Sequence, residues 1–97
     1  MRALVCKEYG SPEKMVIENV ADPVAGEGQI LVNIKAAGIN FADVLSIAGK
    51  YQVKTLPPFI PGMEAVGVVK ALGFGVQRLS IGDAVMVNTP AGGFAEQ

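Results

Sequence analysis

Four positions carry side chains that could take part in chemistry: Asn40, Asp43, Tyr51 and Met63. An amide, a carboxylate and a phenol can each form hydrogen bonds with a carbonyl group or a cofactor. The chain has no His, and Cys6 is its only cysteine. A Cys-rich zinc site is therefore excluded, and we interpret Cys6 as a small apolar residue in a buried first strand.

A predominantly β chain must position these side chains. Residues 29–37 alternate between apolar and polar side chains, which is typical of a half-buried strand. Glycine and proline separate further apolar runs, and Gly67 lies inside one of them, where it predicts a bulge or a close backbone approach. We predict strands at 1–8, 14–20, 29–37, 64–72 and 84–88, with a proline-stiffened loop at 50–61 and a last strand that has barely begun at 93–97.

One short helix is predicted at 40–48. Phe41 begins an i, i+3, i+4, i+7 series of apolar residues, which forms one helical face. Asn40 is suited to the N-cap, Asp43 to the first turn and Gly49 to the C′ position.

Composition limits the classes of function. Ninety-seven residues, 51% hydrophobic and 18% charged, are enough for one folded domain. The net charge of −1 does not favour nucleic acid or an anionic membrane as a partner. The first residues reach Lys7 and Glu8 too soon for a signal peptide, so we expect a cytoplasmic protein.

The motif at 62–67 (GMEAVG), followed by Gly73 and Val76, resembles the signature of the medium-chain dehydrogenase/reductase superfamily. The similarity extends along the whole chain. The chain resembles the N-terminal GroES-like half of the zinc-free quinone oxidoreductases (the zeta-crystallin-like family). The further matching stretches are 37–43, 49–51, 56–62, 82–85 and 92–96.

This resemblance implies a mainly β fold, a GroES-like, partly open β-barrel with one or two short helices. It assigns residues 1–97 to one GroES-like alcohol-dehydrogenase-type domain, incomplete at its C-terminal edge, where we expect an unpaired strand. The Rossmann nucleotide-binding domain of the family has no counterpart in these residues, because no Gly-rich turn opens a helix.

The resemblance also implies a site. In the zinc enzymes the positions of Asn40 and Met63 hold Cys and His ligands, so no metal is expected here. The implied activity is NADPH-dependent hydride transfer to a quinone or an activated enone. The implied roles are catalytic for Asn40 and Tyr51, cofactor-binding for Asn40 and Asp43, and lining of the substrate cleft for Ile39, Tyr51 and Met63.

Structural roles are open for the same residues. Asn40 could serve only as a helix cap, Tyr51 as a loop anchor, Asp43 as support for the helix dipole, and Met63 as an ordinary core residue. We expect Glu64 to be a buried carboxylate that supports the cleft wall.

Two other classes of function stay open. One is a GroES-type co-chaperonin, which the proline loop and the Gly-x-Glu motif do not resemble. The other is a stand-alone binding or assembly module without catalysis. The family implies a small-molecule partner and a homodimer of the full-length protein. The exact substrate and the choice between NADPH and NADH are not readable, and we expect the 97 residues alone to be inactive and to bind the nucleotide weakly or not at all.

Overall fold

The computed structural model describes residues 1–97 and is mainly β, as predicted. It contains five strands, one α-helix and one 3-10 turn at Pro12–Lys14. Their bounds are β1 Arg2–Val5, β2 Val16–Asn19, β3 Ile30–Gly38, α1 Phe41–Ile47, β4 Glu64–Leu72 and β5 Ala84–Asn88. All five strands and the helix lie at the predicted places, and the first two strands are shorter than expected. The α-helix has seven residues, and no helix here is long and apolar enough to cross a membrane.

The strands form two antiparallel sheets that do not close into a barrel. One sheet pairs β1 with β2, and the other has the order β3–β4–β5. The last rung of the larger sheet aligns Gly38, Glu64 and Asn88 across the three strands. This rung defines the end of the sheet at which β3 and β5 finish and β4 begins.

Gly67 lies at a close approach of β3 and β4. The register shifts between Ile34 and Ala36, next to the pairing of Gly67 with Ile34. A Cβ atom added at Gly67 would clash with the carbonyl oxygen of Asn33. The predicted close backbone approach is therefore confirmed.

The expected unpaired strand after Gly93 is wrong. Leu4 N–H donates to Phe94 O at 2.9 Å, and Glu96 N–H donates to Arg2 O at 3.2 Å. On the other side, Ile34 N–H donates to Glu96 O at 2.9 Å. The final segment thus joins the small sheet to β3, because backbone groups on both neighbours reach it.

The core lies between the first strand, the helix and the proline loop. Cys6 is fully buried and packs with Ile47 and Phe59. Its backbone exchanges two hydrogen bonds with Phe59, at 2.8 and 3.1 Å. Burial raises the pKa of the Cys6 thiol, which fits the predicted role of a small core residue.

The helix packs on a different face from the one its apolar pattern predicts. Asp43, Ser46 and Ile47 are buried, whereas Phe41 is 75% exposed and Val44 is also exposed. The core partners of Ile47 are Phe59 from the proline loop and Cys6, which directly follows β1, and this contact decides which side of α1 turns inward. Helical periodicity therefore located the helix but selected the wrong face.

Candidate functional site

Three of the five residues predicted for the site, Ile39, Asn40 and Met63, flank one end of the larger sheet. Ile39 and Asn40 follow β3 directly, Met63 precedes β4, and Thr89 follows β5. Thr89 N–H donates to Met63 O at 2.8 Å, which extends the ladder one step beyond its last rung. Antiparallel pairing is the reason that these distant positions meet.

A shallow hollow of about 270 Å³ opens at this end of the sheet. It contains Tyr51 and Met63, two of the three residues predicted to line a substrate cleft. Ile39 is 81% exposed and does not line the hollow, so its contact with a substrate stays a prediction. The complete lining is Tyr51, Val53, Met63, Asn88, Thr89 and Pro90.

The two tyrosines of the chain differ in how their hydroxyls are used. Tyr9 packs against the core, and its hydroxyl donates to Thr55 O at 2.7 Å. Tyr51 is partly exposed in the hollow, and its hydroxyl is not engaged by another residue of the chain. Tyr9 is thus the anchored tyrosine, whereas the Tyr51 hydroxyl is free to hydrogen-bond a ligand.

Asn40 and Asp43 are joined by backbone and side-chain hydrogen bonds at the start of α1. Asn40 N–H donates to Asp43 Oδ2 at 2.8 Å, and Asp43 N–H donates to Asn40 O at 3.0 Å. The Asp43 side chain is buried, and its Oδ1 has no hydrogen-bond partner. Asn40 is the N-cap residue, and Asp43 closes the helix N-terminus with it in a capping box, although the Asn40 side chain is exposed. Their roles toward a cofactor stay predictions.

Glu64 is not the buried carboxylate that the sequence suggested. It begins β4 on the exposed side of an alternating strand, and it forms no salt bridge. Its carboxylate lies over Gly38, where an added Cβ atom would clash with it. Strict alternation along β4 puts Ala65 inside, and Glu64 is consequently outside.

The lining of the hollow is uncharged and offers no ready metal cage. None of its six residues is an Asp, Glu, Lys, Arg or His. No group of three or more His, Cys, Asp and Glu side chains is placed to hold a metal ion. The chemistry of the hollow is that of hydrogen bonding within an apolar wall.

Sequence reasoning missed the contribution of β5 and the loop that follows it. Asn88, Thr89 and Pro90 line the hollow, and Val53 joins them from the loop after α1. The strand at 84–88 was predicted, but its pairing with β4 was not. That pairing places Asn88 opposite Glu64, one residue from Met63. The available signal was the position of these residues directly after a predicted strand.

Comparison with known proteins places the chain in a family. Residues 26–96 match the alcohol dehydrogenase GroES-like domain. An alcohol dehydrogenase of Rhizobium meliloti is 45% identical over 87 residues, covering 90% of this chain and 25% of the relative. A quinone oxidoreductase-like protein 2 homolog of Nematostella vectensis is 43% identical over 101 residues, covering 99% of this chain and 26% of the relative.

The fold is likewise that of solved oxidoreductase structures. The quinone oxidoreductase of Thermus thermophilus, solved also in complex with NADPH, superposes with a TM-score of 0.81 at 38% identity. That match covers 99% of this chain and 28% of the solved one. This chain thus spans about a quarter of the length of the relatives that it matches. The family match, the identities and the superposition agree, and the chain belongs to the alcohol dehydrogenase GroES-like domain family.

Proposed function

We propose that this chain forms the substrate-side wall of an NADPH-dependent, zinc-independent oxidoreductase that transfers a hydride to a quinone or an activated enone. The observation that carries the proposal is the uncharged hollow, which is lined by Tyr51, whose hydroxyl is free, and by the apolar side chain of Met63. The relatives named quinone oxidoreductase-like protein and quinone oxidoreductase support this class of substrate.

Zinc independence rests on the residues at the sheet end. The chain has no His, and its single thiol is buried in the core, away from the hollow. An amide at Asn40 and a thioether at Met63 are poor ligands for Zn²⁺ compared with thiolate and imidazole. Stabilisation of a developing oxyanion is therefore assigned to hydrogen-bond donors.

The residues present fit the nicotinamide end of NADPH and not its phosphates. The buried Asp43 carboxylate occupies the N-terminus of the only α-helix, a place where it would repel a phosphate. The exposed Asn40 amide lies at the same sheet end as the hollow, where it would hydrogen-bond the carboxamide group of the nicotinamide ring and orient it. When bound, the cofactor would supply the hydride.

Tyr51 is the donor that we assign to the substrate carbonyl. Its hydroxyl would hydrogen-bond the oxygen on which negative charge develops, and the apolar residues around it would keep water away. Met63 contributes to that apolar wall through a flexible side chain that adapts to a flat ring.

A chimeric enzyme tests this function. Residues 1–97 would replace the matching part of the Thermus thermophilus quinone oxidoreductase, and NADPH oxidation would be followed with a quinone present. We expect quinone-dependent turnover without added zinc, and a roughly tenfold to hundredfold lower kcat/KM for Tyr51→Phe. Tyr9→Phe is the matched control, since its hydroxyl serves the fold, and it should keep kcat/KM within about twofold at a temperature where it is folded.

A well-folded chimera without turnover would refute the proposed activity. Equal losses for the two tyrosine variants would refute the role of Tyr51. Micromolar binding of NADPH by the 97 residues alone would show that the chain holds more of the cofactor than we propose.

An assembly module without catalysis is the second candidate. It is favoured by an exposed apolar patch on the larger sheet, where Val66 and Met86 lie side by side. This candidate predicts that the chimera is folded but inactive and that the chain self-associates specifically.

A further inference from the structure

We propose that Asn88 is a specificity-determining residue that, together with Tyr51, selects an uncharged, ring-conjugated carbonyl compound. The inference deepens the proposed function, since it concerns the same hollow. The inference requires only that the hollow binds a carbonyl group, and it does not depend on hydride transfer.

Position is the first argument. Asn88 ends β5 and belongs to the last rung of the sheet, with Glu64 as its partner. It lines the hollow from the β5 side, whereas Tyr51 lines it from the loop after α1. A ligand in the hollow would therefore meet polar groups from two separate elements.

The availability of hydrogen bonds is the second argument. Thr89 also lines the hollow, but its hydroxyl already donates to Ala91 O at 2.9 Å. Asn88 is exposed, and its side-chain amide is not engaged within the chain. An amide offers two N–H donors and one acceptor, so it can bind a ligand carbonyl that the Tyr51 hydroxyl also approaches.

Charge is the third argument. The lining is neutral, and the remaining residues of the hollow, Val53, Met63 and Pro90, are apolar. A carboxylate placed there would lose hydration without gaining a cation. Glu64, exposed on the neighbouring strand opposite Asn88, adds a negative charge at this sheet end. Anionic ring compounds should therefore be rejected.

The volume of the hollow suits a ligand with a single ring. The hollow measures about 270 Å³, just below the roughly 300–1,000 Å³ of ordinary small-molecule pockets. A one-ring aryl ketone is accordingly a suitable probe, and it does not alkylate thiols or amines.

Binding to the ¹⁵N-labelled chain tests the inference with a matched pair of probes. Methyl 4-acetylbenzoate is neutral, and 4-acetylbenzoate has the same ring and ketone with a carboxylate. We expect the neutral probe to shift the amide signals of residues 51–53, 63, 88 and 89 and the Asn88 side-chain NH₂ signal. We expect the anion to bind at least tenfold more weakly.

Substitutions assign the selectivity to Asn88. Asn88→Leu should weaken binding of the neutral probe about fivefold, because the donor is lost. Asn88→Asp should weaken it further, because its negative charge would also repel the carbonyl oxygen of the probe. Asn19→Leu is the matched control, since Asn19 is an exposed asparagine that ends β2 in the other sheet, and it should leave binding unchanged.

The outcomes separate this inference from the proposed activity. Equal affinity for both probes, or shifts confined to other surfaces, would overturn the selectivity of the hollow. Normal binding by Asn88→Leu would overturn the role of Asn88 even if the chimera reduces quinones. Selective binding by the chain together with an inactive chimera would support this inference and refute the proposed hydride transfer.

Discussion

Asp43 lies at a position predicted to be functional, but its contacts within the chain are those of a structural residue. The side chain is 4% exposed, and its two oxygens are used unequally. Oδ2 accepts from Asn40 N–H at 2.8 Å, whereas Oδ1 is buried without a partner. A buried acceptor without a hydrogen bond costs about 1–3 kcal/mol. Its position is therefore maintained by the helix cap and the surrounding packing.

Replacing Asp43 should lower stability through the cap. We expect Asp43→Ala to reduce the free energy of unfolding by about 1–2 kcal/mol, measured by urea denaturation. Asp83→Ala is the matched control, because Asp83 Oδ2 accepts from Ser80 N–H, also three residues earlier, at 2.9 Å in an exposed turn. Water can replace that bond, so a loss of no more than roughly 0.5 kcal/mol is expected. Equal losses of unfolding free energy in the two variants would show that burial does not strengthen the cap formed by Asp43.

At the scale of elements, the contact between β3 and β4 decides where the site residues lie. Each strand has nine residues, eight of which are paired, and two register shifts interrupt the ladder. Gly67 permits a close approach of the two backbones, next to the second shift. Because the ladder ends at Gly38 and Glu64, a disturbance at Gly67 would also displace Asn40 and Met63.

Gly67→Ala should destabilise the sheet strongly. The added methyl group would clash with backbone of β3, which cannot rotate away, so we expect a loss of about 2–3 kcal/mol. Gly75→Ala serves as the control, since its φ of 87° is unfavourable for alanine but nothing lies near an added Cβ atom. It should cost roughly 1–2 kcal/mol. Urea denaturation midpoints of the two variants, compared at equal m-values, would show which substitution costs more stability. A larger loss for Gly75→Ala than for Gly67→Ala would contradict the prediction.

The pairing of β1 with the segment after β2 predicts a pH dependence. The Met1 ammonium group donates to Asp22 Oδ1 and to Val20 O, both at 2.8 Å. This hydrogen bond and the positive charge lower the pKa of Asp22. The stabilising contact is complete above the ordinary aspartate pKa of about 3.9, and it is lost as the pH falls through the lowered value.

Titration of the Asp22 carboxyl carbon by NMR checks this prediction. We expect a midpoint below that of a model aspartate, and a return toward the ordinary value when the α-amino group is acetylated. Asp22→Asn should remove this part of the acid-dependent loss of stability. An unshifted midpoint in the folded chain would contradict the contact.

At the scale of the whole molecule, the outer side of the larger sheet carries an exposed apolar patch at Val66 and Met86. Met86 is 87% exposed and lies beside Val66, which is paired with Ala36 on its other side. In the order β3–β4–β5, the strand β5 is also an outer strand with no charged side chain. Exposed, uncharged edge strands favour pairing with other chains.

The chain should self-associate through this face. We expect the weight-average mass in sedimentation equilibrium to rise with concentration. Met86→Lys should shift association to concentrations at least tenfold higher, because the introduced charges would meet in a symmetric contact. Ile17→Lys is the control, since Ile17 is exposed on the other sheet, and it should leave association unchanged. A monomer at all concentrations would contradict the prediction.

Local sequence patterns were sufficient to place the elements. Period-two alternation located β3, and valine-rich runs bounded by glycine located β4 and β5 at their observed bounds. The cap residues predicted the ends of α1. The motif around Met63 identified the family before any contact was known. These properties depend on neighbours within a few residues, and short-range steric and hydrogen-bonding preferences therefore determine them.

Only the tertiary structure decided which side of each element is covered and which distant residues meet. It turned Asp43 and Ile47 inward instead of Phe41, and it exposed Glu64. It also brought Asn88 beside Met63 and Tyr51. The physical reason is that burial and register are set by packing partners far along the chain. The sequence by itself determined the elements and the family, and the fold decided the site.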